Sequence, residues 1–500
     1  MRAAAIMACA IGAIGCVRSP EMRAEGWWSA RTAHIALQTD GGEDAAAASA
    51  ASLEELHHAL TLVFYRCAYG AEDDVVEVTV LSHDDEYDAL YPHTAGVSLS
   101  GSDGIVVTAP RIVLRGSASV RTDEVFAHEL THAFVRACFP DAPAWLHEGL
   151  ASVFETIDRQ DASVIVGEPA YGLTSDAYAN VGWDGHRYLR IVPTRHLLAP
   201  SALMALSAME LYAPHGDERR SAAQARVGHY ASAWALVHML ALGPDPDLRE
   251  RFLRYLAALS AGSQTRTEAF EAAFGGVDLD LSFERYVHGT HFSGLEHAWT
   301  SADAAPTLAA LSTAEAHLSL ASLAIASGQM DVVRPHLDAA RASSSTAARA
   351  LLLDAVLAPA SAPRLVAEAE RLSPDDRDVL RAAILSARAI DDPRALTLAE
   401  RMARRTDLRS ADLAVIANVE DRAGLRDEAF AHARAAVERD PRAWWARFEL
   451  GRVAFHAHDC LVARAAMQWV SSAGAHGPPA ILQSAAHWLD RIARACAATL

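Results

Sequence analysis

The sequence predicts an α+β fold in which a small mixed sheet is followed by a motif-bearing helix, a helical subdomain and an all-α repeat region. Three observations predict it. Alternating apolar segments are concentrated before residue 120, and helical spacing dominates from Thr122 to about residue 297. From residue 313 onward the composition is almost wholly helical. A chain of 500 residues is long enough for two or three domains, each with its own core.

The first strands and helix follow from residue periodicity. Residues 31–40 alternate like a strand, and residues 52–67 carry apolar side chains at helical spacing. Residues 75–82 are β-branched and alternating, while residues 96–116 read as short strands broken at Gly-Ser-Asp-Gly. We therefore expect a small mixed sheet in which one helix follows the first strand.

The N-terminus predicts an exported protein. Residues 1–16 place one Arg before an apolar run that ends at Cys16 and is too short to cross a bilayer permanently. Ala13-Ile14-Gly15-Cys16 resembles the bacterial lipobox, although Leu is usual where Ala13 stands. Cys16 is thus expected to carry lipid, which would place a lipoprotein in the periplasm or at the outer membrane. A cleaved signal peptide and an unprocessed start are the alternatives.

The formal charge of -19 argues against nucleic acid as a partner, because binding to phosphates requires a basic face. An anionic membrane surface is disfavoured for the same reason, so membrane contact is expected only through Cys16. Four cysteines lie beyond the signal, and an exported chain permits disulfides between them. The pairs expected are Cys67 with Cys138 and Cys460 with Cys496; the alternative is that all four are small buried apolar side chains.

The region 313–500 contains a period of 34 residues. Small residues recur at this spacing, as in Ala417 and Gly451, and in Ala429 and Ala463. Gly424 falls at the turn between two helices, and Gly328 repeats the pattern upstream. These positions resemble the tetratricopeptide repeat, in which small residues let paired helices approach closely and the array binds proteins. The alternative is a generic antiparallel helical domain. Residues 298–312, rich in Ala, Ser and Thr, are expected to be the linker that precedes it.

The motif that carries chemistry is His-Glu-x-x-His within residues 125–134, VFAHELTHAF. On a helix His128 and His132 project from one face, and two imidazoles so placed can bind one zinc ion. Glu129 then lies beside the metal, where a carboxylate can take a proton from zinc-bound water. Chance produces such a motif rarely but not negligibly in a chain with 23 His, so the surrounding sequence must decide.

The segment WLHEGLASVFE, residues 145–155, supplies the third ligand. Its apolar stripe consists of Leu146, Leu150, Val153 and Phe154. The opposite face consists of Trp145, Glu148, Ser152 and Glu155. Glu148 is thus turned away from the apolar packing, and a third protein ligand leaves the fourth zinc position for water, as a catalytic site requires.

These paired motifs resemble the gluzincin clan of zinc metallopeptidases and, within it, the peptidase MA-like proteins of bacteria. The resemblance covers about residues 27–297. It implies that His128, His132 and Glu148 bind Zn²⁺ and that Glu129 is the general base. Gluzincins also use a downstream Tyr or His to steady the oxyanion, for which Tyr230 is the expected residue and His229 the other candidate. An aromatic in that helix is, however, more often a core residue.

One position departs from the clan. Many gluzincins carry an Asp four residues after the ligand Glu, where it orients a zinc-bound His, but this chain has Ser152. Asp123 or Glu124 is expected to substitute. His147 falls on a different helical face from Glu148 and is expected at the rim, without a role.

The function expected from these motifs is peptide-bond hydrolysis at the cell envelope by a zinc metallopeptidase, with the repeats binding a protein partner. Two alternatives remain. The first is an inactive metallopeptidase fold that serves as a scaffold for protein interaction. The second is an unrelated helical protein in which His128 and His132 are core histidines. No residue pattern specifies the substrate.

Overall fold

The structure is a computed structural model. It describes residues 22–64, 75–92, 94, 96–99, 111–116, 120–139, 141–168, 182–183, 189–190, 197–212, 219–261, 264–289, 291–292, 294–301, 305–440, 443–472 and 479–496. The protein is α+β, with a small mixed sheet and many helices. The expected fold class is confirmed at this level. Cys16 and Cys67 lie outside the described residues.

The strands of the described residues are β1 Trp28–Arg31, β2 Ile35–Thr39, β3 Val76–Leu81, β4 Gly96–Leu99, β5 Arg111–Arg115, β6 Asp158–Arg159, β7 Ser163–Val166, β8 Gly182–Trp183, β9 Leu189–Arg190, β10 His291–Phe292, β11 Leu295–Ala298 and β12 Thr307–Ala310. Six of them form the main sheet in the order β12-β1-β2-β3-β5-β4. Strands β2, β3 and β5 are parallel, whereas β4 and β12 pair antiparallel with their neighbours at the two edges. The short strands β6 to β11 form two small sheets within the region expected to be mostly helical.

The helices of the described residues before the repeat region are α1 Glu43–Val63, α2 Asp84–Leu90, α3 Val120–Cys138, α4 Ala144–Phe154, α5 Pro200–Ala205, α6 Ala208–Tyr212, α7 Arg219–Leu242, α8 Pro246–Ala261, α9 Arg266–Phe274 and α10 Leu279–Gly289. The later helices are α11 Thr313–Ser327, α12 Met330–Arg341, α13 Ala347–Leu357, α14 Ala362–Leu372, α15 Arg377–Ala389, α16 Arg394–Ala403, α17 Ser410–Arg422, α18 Arg426–Arg439, α19 Trp444–His456, α20 Cys460–Ser472 and α21 Pro479–Ala495.

The first helix begins earlier than its apolar spacing predicts. Residues 52–67 were expected to be helical, but α1 starts at Glu43. Residues 45–51 are six Ala and one Ser, which give no amphipathic pattern but have the strongest intrinsic helix propensity of any composition. Helix propensity, together with the burial of Ala46 and Ala50 in a core, therefore extends the helix by more than two turns.

Alternating side chains of the central strands enter two different cores. Val78 and Ile112 belong to the large core that α1, α3, α4 and α7 share, whereas Leu81 and Val113 point to the opposite face. The opposite face is covered by α2 and by α11, whose Leu320 is fully buried there. Both faces of the sheet are thus packed, as expected for strands that are apolar on both sides.

Residues 298–312, expected to be a linker, carry strand β12. This strand pairs with β1 at the edge of the main sheet, and the Leu311 amide donates a hydrogen bond to the Trp27 carbonyl at 2.9 Å. Ser312 then caps α11 by accepting a hydrogen bond from the Glu315 amide. The main sheet and the helix that follows it are therefore continuous across the segment where the composition changes.

The later helices pack in succession, each on the next. Gly328 and Gly424 have φ angles of 76° and 83° at the turns that join α11 to α12 and α17 to α18, a conformation that favours glycine. At Gly451 a Cβ would lie 3.0 Å from the Met467 side chain and 3.3 Å from the Ala463 carbonyl, so α19 and α20 approach closely. The small residues noted in the sequence thus lie at helix contacts.

Two of the cysteine expectations can be compared with the structure. Cys460 and Cys496 form a disulfide between α20 and the end of α21, as predicted. Cys138 is also disulfide-bonded. Within the described residues, no helix combines the length and the apolar character that a membrane span needs.

We expect Leu320→Ala to lower the free energy of unfolding by about 2–5 kcal/mol, because it empties a fully buried position between α11 and the sheet. Urea titration followed by circular dichroism measures this. Leu281→Ala, at a position that is 40% exposed in α10, is the control and should cost little. Equal losses in both variants would contradict the packing of α11 on the sheet.

Candidate metal centre

Helix α3 brings two histidines to one point. It packs its Phe126 and Leu130 into the large core, which turns the face bearing His128 and His132 towards α4. One helical turn apart, their Nε2 atoms lie 3.2 Å from each other. The side chains are 21% and 12% exposed, so solvent reaches the pair from one side.

Helix α4 brings a buried carboxylate against both rings. Pro143 precedes its first turn, after a short reversal that follows α3. Glu148 is 2% exposed, and its two oxygens lie 3.5 Å from Nε2 of His128 and 3.4 Å from Nε2 of His132. The three residues expected to bind metal therefore converge.

Gly149 explains how Glu148 is held in place. A Cβ at this position would lie 2.5 Å from the carbonyl oxygen of Ala233 and 2.4 Å from Cγ2 of Val237, both on α7. Backbone cannot move aside as a flexible side chain can, so only glycine permits this contact between α4 and α7. The contact fixes the depth at which the neighbouring Glu148 meets the two histidines.

The spacing of the three side chains fits one metal ion. Atoms that bind zinc at about 2.0–2.2 Å with tetrahedral angles lie roughly 3.3–3.6 Å from one another. Here the two Nε2 atoms lie 3.2 Å apart, and each lies 3.4–3.5 Å from a different oxygen of Glu148, so the spacing is close to that range. Two imidazole nitrogens and one carboxylate are, moreover, a donor set that zinc prefers. The residues present thus fit the ion that the sequence implies.

Burial and mutual contact set the protonation of these groups. Burial lowers the pKa of His132 to about 3. For His128 burial acts in the same direction, but hydrogen bonds to Glu148 and Glu155 outweigh it and raise the pKa well above the ordinary value. Burial alone would raise the pKa of Glu148, yet the two imidazoles hold it below its usual range. Because metal ligands must be deprotonated, binding would release the proton of His128.

Glu155 is the residue that orients His128, in place of the Asp that Ser152 replaces. Its Oε2 lies 3.0 Å from Nδ1 of His128, so the carboxylate orients that imidazole from behind. Asp123, one of the two residues expected to orient His128, instead pairs with Arg159 at 2.8 Å. Ser152 is buried in α4. Glu155 shares the helical face of Glu148, which was the signal available in the sequence.

Glu129 lies on the side of α3 next to the main sheet. A Cβ at Gly96, the first residue of β4, would lie 3.0 Å from Cγ of Glu129 and 2.5 Å from Cγ1 of Val125, so the strand passes very close to the helix. Tyr87 of α2 is buried nearby; its pKa is raised to about 12 mainly by burial and also by the charge of Glu129. Glu129 thus follows His128 in α3 and lies next to an edge strand.

Two tyrosines lie close to the ligands. The hydroxyl of Tyr212 in α6 bonds to Glu148, and the ring is 40% exposed. Burial and the contact with Glu148 raise the pKa of Tyr212, and Tyr230, the residue expected to steady the oxyanion, adds a smaller effect. Tyr230 packs half-buried against the large core. Nδ1 of His229 lies 3.3 Å from the Leu211 carbonyl. Tyr212 was missed because nothing local in its short helix marks it.

His147 is not at the rim. It is 4% exposed, and its ring centroid lies 6.0 Å from that of His132, so the expectation from the sequence is wrong. Helical position gave the direction of its side chain but could not show that neighbouring elements bury that face as well.

Comparison of the chain with known protein families, with curated proteins and with solved structures finds no match.

We expect Gly149→Ala to weaken metal binding although it changes no ligand. The added methyl meets the Ala233 backbone, so α4 must shift away from α7 and carry Glu148 with it. Isothermal titration with Zn²⁺ measures the dissociation constant. Gly424→Ala, in the left-handed turn between α17 and α18, is the control: it strains a distant backbone and should leave zinc affinity unchanged. Equal affinity in both variants would contradict the role of the α4–α7 contact.

We expect Glu155→Gln to reduce zinc affinity by about 10- to 100-fold, the usual effect of losing an outer partner of a ligand histidine. The amide keeps the shape but not the charge that holds the His128 ring. Glu284→Gln, at an exposed site on α10, is the matched control. Zinc competition with a chromogenic chelator gives both affinities, and an unchanged value for Glu155→Gln would show that Glu155 does not act on His128.

Proposed function

We propose that this protein is a zinc-dependent metallopeptidase that hydrolyses peptide bonds by means of a zinc-bound water. The observation that carries the proposal is the convergence of His128, His132 and Glu148, whose possible ligand atoms lie within 4.8 Å of one another. The fold proposed with it is gluzincin-like, since a sheet, a His-Glu-x-x-His helix and a following ligand helix occur in that order.

The residues divide the chemistry among them. His128, His132 and Glu148 would hold the zinc, which would lower the pKa of a water and polarise the scissile carbonyl. Glu129 would accept the proton of the attacking water at its carboxylate and pass it to the leaving amine. Glu155 keeps Nδ1 of His128 engaged, which leaves Nε2 as the ligand atom. For the oxyanion, Tyr230 remains the prediction from the sequence, while Tyr212, whose hydroxyl bonds to Glu148, is a second candidate.

The edge strand beside Glu129 supports an extended peptide as the substrate. Strand β4 ends the main sheet, and among the described residues no further strand pairs with its outer side. An extended chain can hydrogen-bond to such an edge, which would hold its backbone alongside α3. A compact small molecule would make no use of this edge.

The helices α11 to α21 are proposed to be tetratricopeptide-like repeats that bind a protein partner. Support comes from the left-handed glycines at the turns and from the close contact of α19 with α20 at Gly451. The competing proposal is an inactive scaffold in which only these helices have a function. Retention of Glu129 and all three ligands weighs against it.

The proposed location is the bacterial cell envelope. The apolar run that ends at Cys16 and the disulfide between Cys460 and Cys496 both suit an exported protein, since disulfides persist in oxidising compartments. Lipid on Cys16 would anchor the protein without a membrane-spanning helix.

The decisive experiment separates the general base from the ligands. Glu129→Gln should keep zinc near one equivalent at this centre while lowering the hydrolysis of a denatured protein substrate by about 10²- to 10⁴-fold, because only proton transfer is removed. Glu148→Ala should lose the zinc of this centre together with the activity, since two imidazoles alone hold zinc weakly. Elemental analysis and a fluorescent casein assay measure the two properties.

His288→Ala, which removes an exposed histidine on α10, is the control and should match the parent in both measurements. Parental activity in Glu129→Gln would exclude Glu129 as the base. Parental zinc affinity in Glu148→Ala would exclude the proposed centre, and normal zinc without any hydrolysis in the parent would favour the scaffold.

A further inference from the structure

A second group of metal-ligating side chains lies on the other face of the main sheet from α3. Asp40 follows β2, His83 follows β3, and Glu86 lies in α2. One possible ligand atom from each residue lies within 4.8 Å of those of the other two. Because β2 and β3 are parallel, their carboxyl ends meet at one edge of the sheet, and this brings the three side chains together.

Asp40 is held in a fixed orientation. Its Oδ1 accepts a hydrogen bond from the Ser82 amide at 2.6 Å, which links the two strand ends. Its Oδ2 lies 2.8 Å from Nδ1 of His83. The Asp40 side chain is 2% exposed and that of His83 is 36% exposed, so solvent reaches the group through the imidazole.

Glu86 has one carboxylate oxygen without a hydrogen-bond donor among the described residues. It is 1% exposed, and its Oε1 accepts a hydrogen bond from the Arg23 amide at 3.2 Å. Its Oε2 is buried and, within the described residues, accepts no hydrogen bond. The nearest guanidinium, that of Arg23, is 58% exposed and reaches only Oε1, at 3.6 Å. A buried carboxylate oxygen without a donor requires an explanation, of which a bound ion is one.

We propose that Asp40, His83 and Glu86 form a second binding site for a divalent transition-metal ion. Two carboxylates and one imidazole suit Zn²⁺ or Mn²⁺, whereas Ca²⁺ and Mg²⁺ favour oxygen ligands alone. Nδ1 of His83 and Oδ2 of Asp40, after the proton between them is released to solvent, and the carboxylate of Glu86 would be the three protein ligands. Water completes its coordination on the exposed side of His83.

The proposed ion would connect secondary-structure elements. It would join the ends of β2 and β3 to the first turn of α2. The bound ion would therefore fasten α2, one of the helices that cover the face of the sheet opposite α3. The inference does not depend on the proposed peptidase function, because none of its three ligands belongs to that centre.

The test counts ions in the full-length protein. After EDTA treatment, reloading with ZnCl₂ or MnCl₂ and desalting, elemental analysis should find two ions in the parent, one in His132→Ala, one in Glu86→Gln and none in the double variant. Titration should show that Glu86→Gln weakens the second site by more than about 100-fold, beyond the usual cost of losing an outer partner. Asp85→Asn, at an exposed neighbour of Glu86, should keep both ions.

His83→Ala in the His132→Ala background provides a second variant, and circular dichroism verifies that each variant is folded. The proposal is overturned if His132→Ala holds no ion, or if Glu86→Gln and His83→Ala retain as many ions as their parent. It is also overturned if Glu86→Gln melts at a higher temperature than the parent in Zn²⁺, which would identify Glu86 as a neutral buried acid. One ion that is lost in Glu86→Gln but kept in His132→Ala would support this site and refute the peptidase centre.

Discussion

The contact between the Glu148 carboxylate and the imidazoles of His128 and His132 is the interaction on which the proposed centre depends. A buried carboxylate is costly unless charged or hydrogen-bonding groups meet it, and α4 offers apolar side chains on its other faces. The two helices that carry these groups are both held in place. Helix α3 packs into the large core, and Gly149 of α4 contacts α7. The packing of the two helices therefore holds the three groups in mutual contact, an arrangement that favours tight and selective binding.

The sequence predicted the parts of this centre that depend on local periodicity. Helical spacing alone placed His128 and His132 together, and the apolar stripe of the next helix identified Glu148. Glu155 was visible on the same face, but its role depends on where α4 lies relative to α3. Tyr212 and Gly96 reach the centre from distant segments with no motif of their own. Such contacts follow from tertiary packing, which a single sequence does not specify.

The two-sided packing of the sheet changes how the composition of the chain should be interpreted. The Ala-rich segment around residue 305 marks a change from mixed to helical structure, yet β12 and α11 continue the packing of the sheet. Val113 and Leu81 would face water without the helices that follow. Apolar residues on both sides of β3 and β5 were the available sign that the second face is covered.

The pairing of β1 with β12 also affects the order in which the chain can fold. Ser29 and Ala309 are 280 residues apart, so at ordinary rates of synthesis the partner strand emerges on the order of tens of seconds after β1. During that interval β1 is an unpaired edge, the kind of surface that other chains can extend into aggregates. A newly made chain would therefore benefit from a chaperone that shields this edge until Thr307–Ala310 arrives.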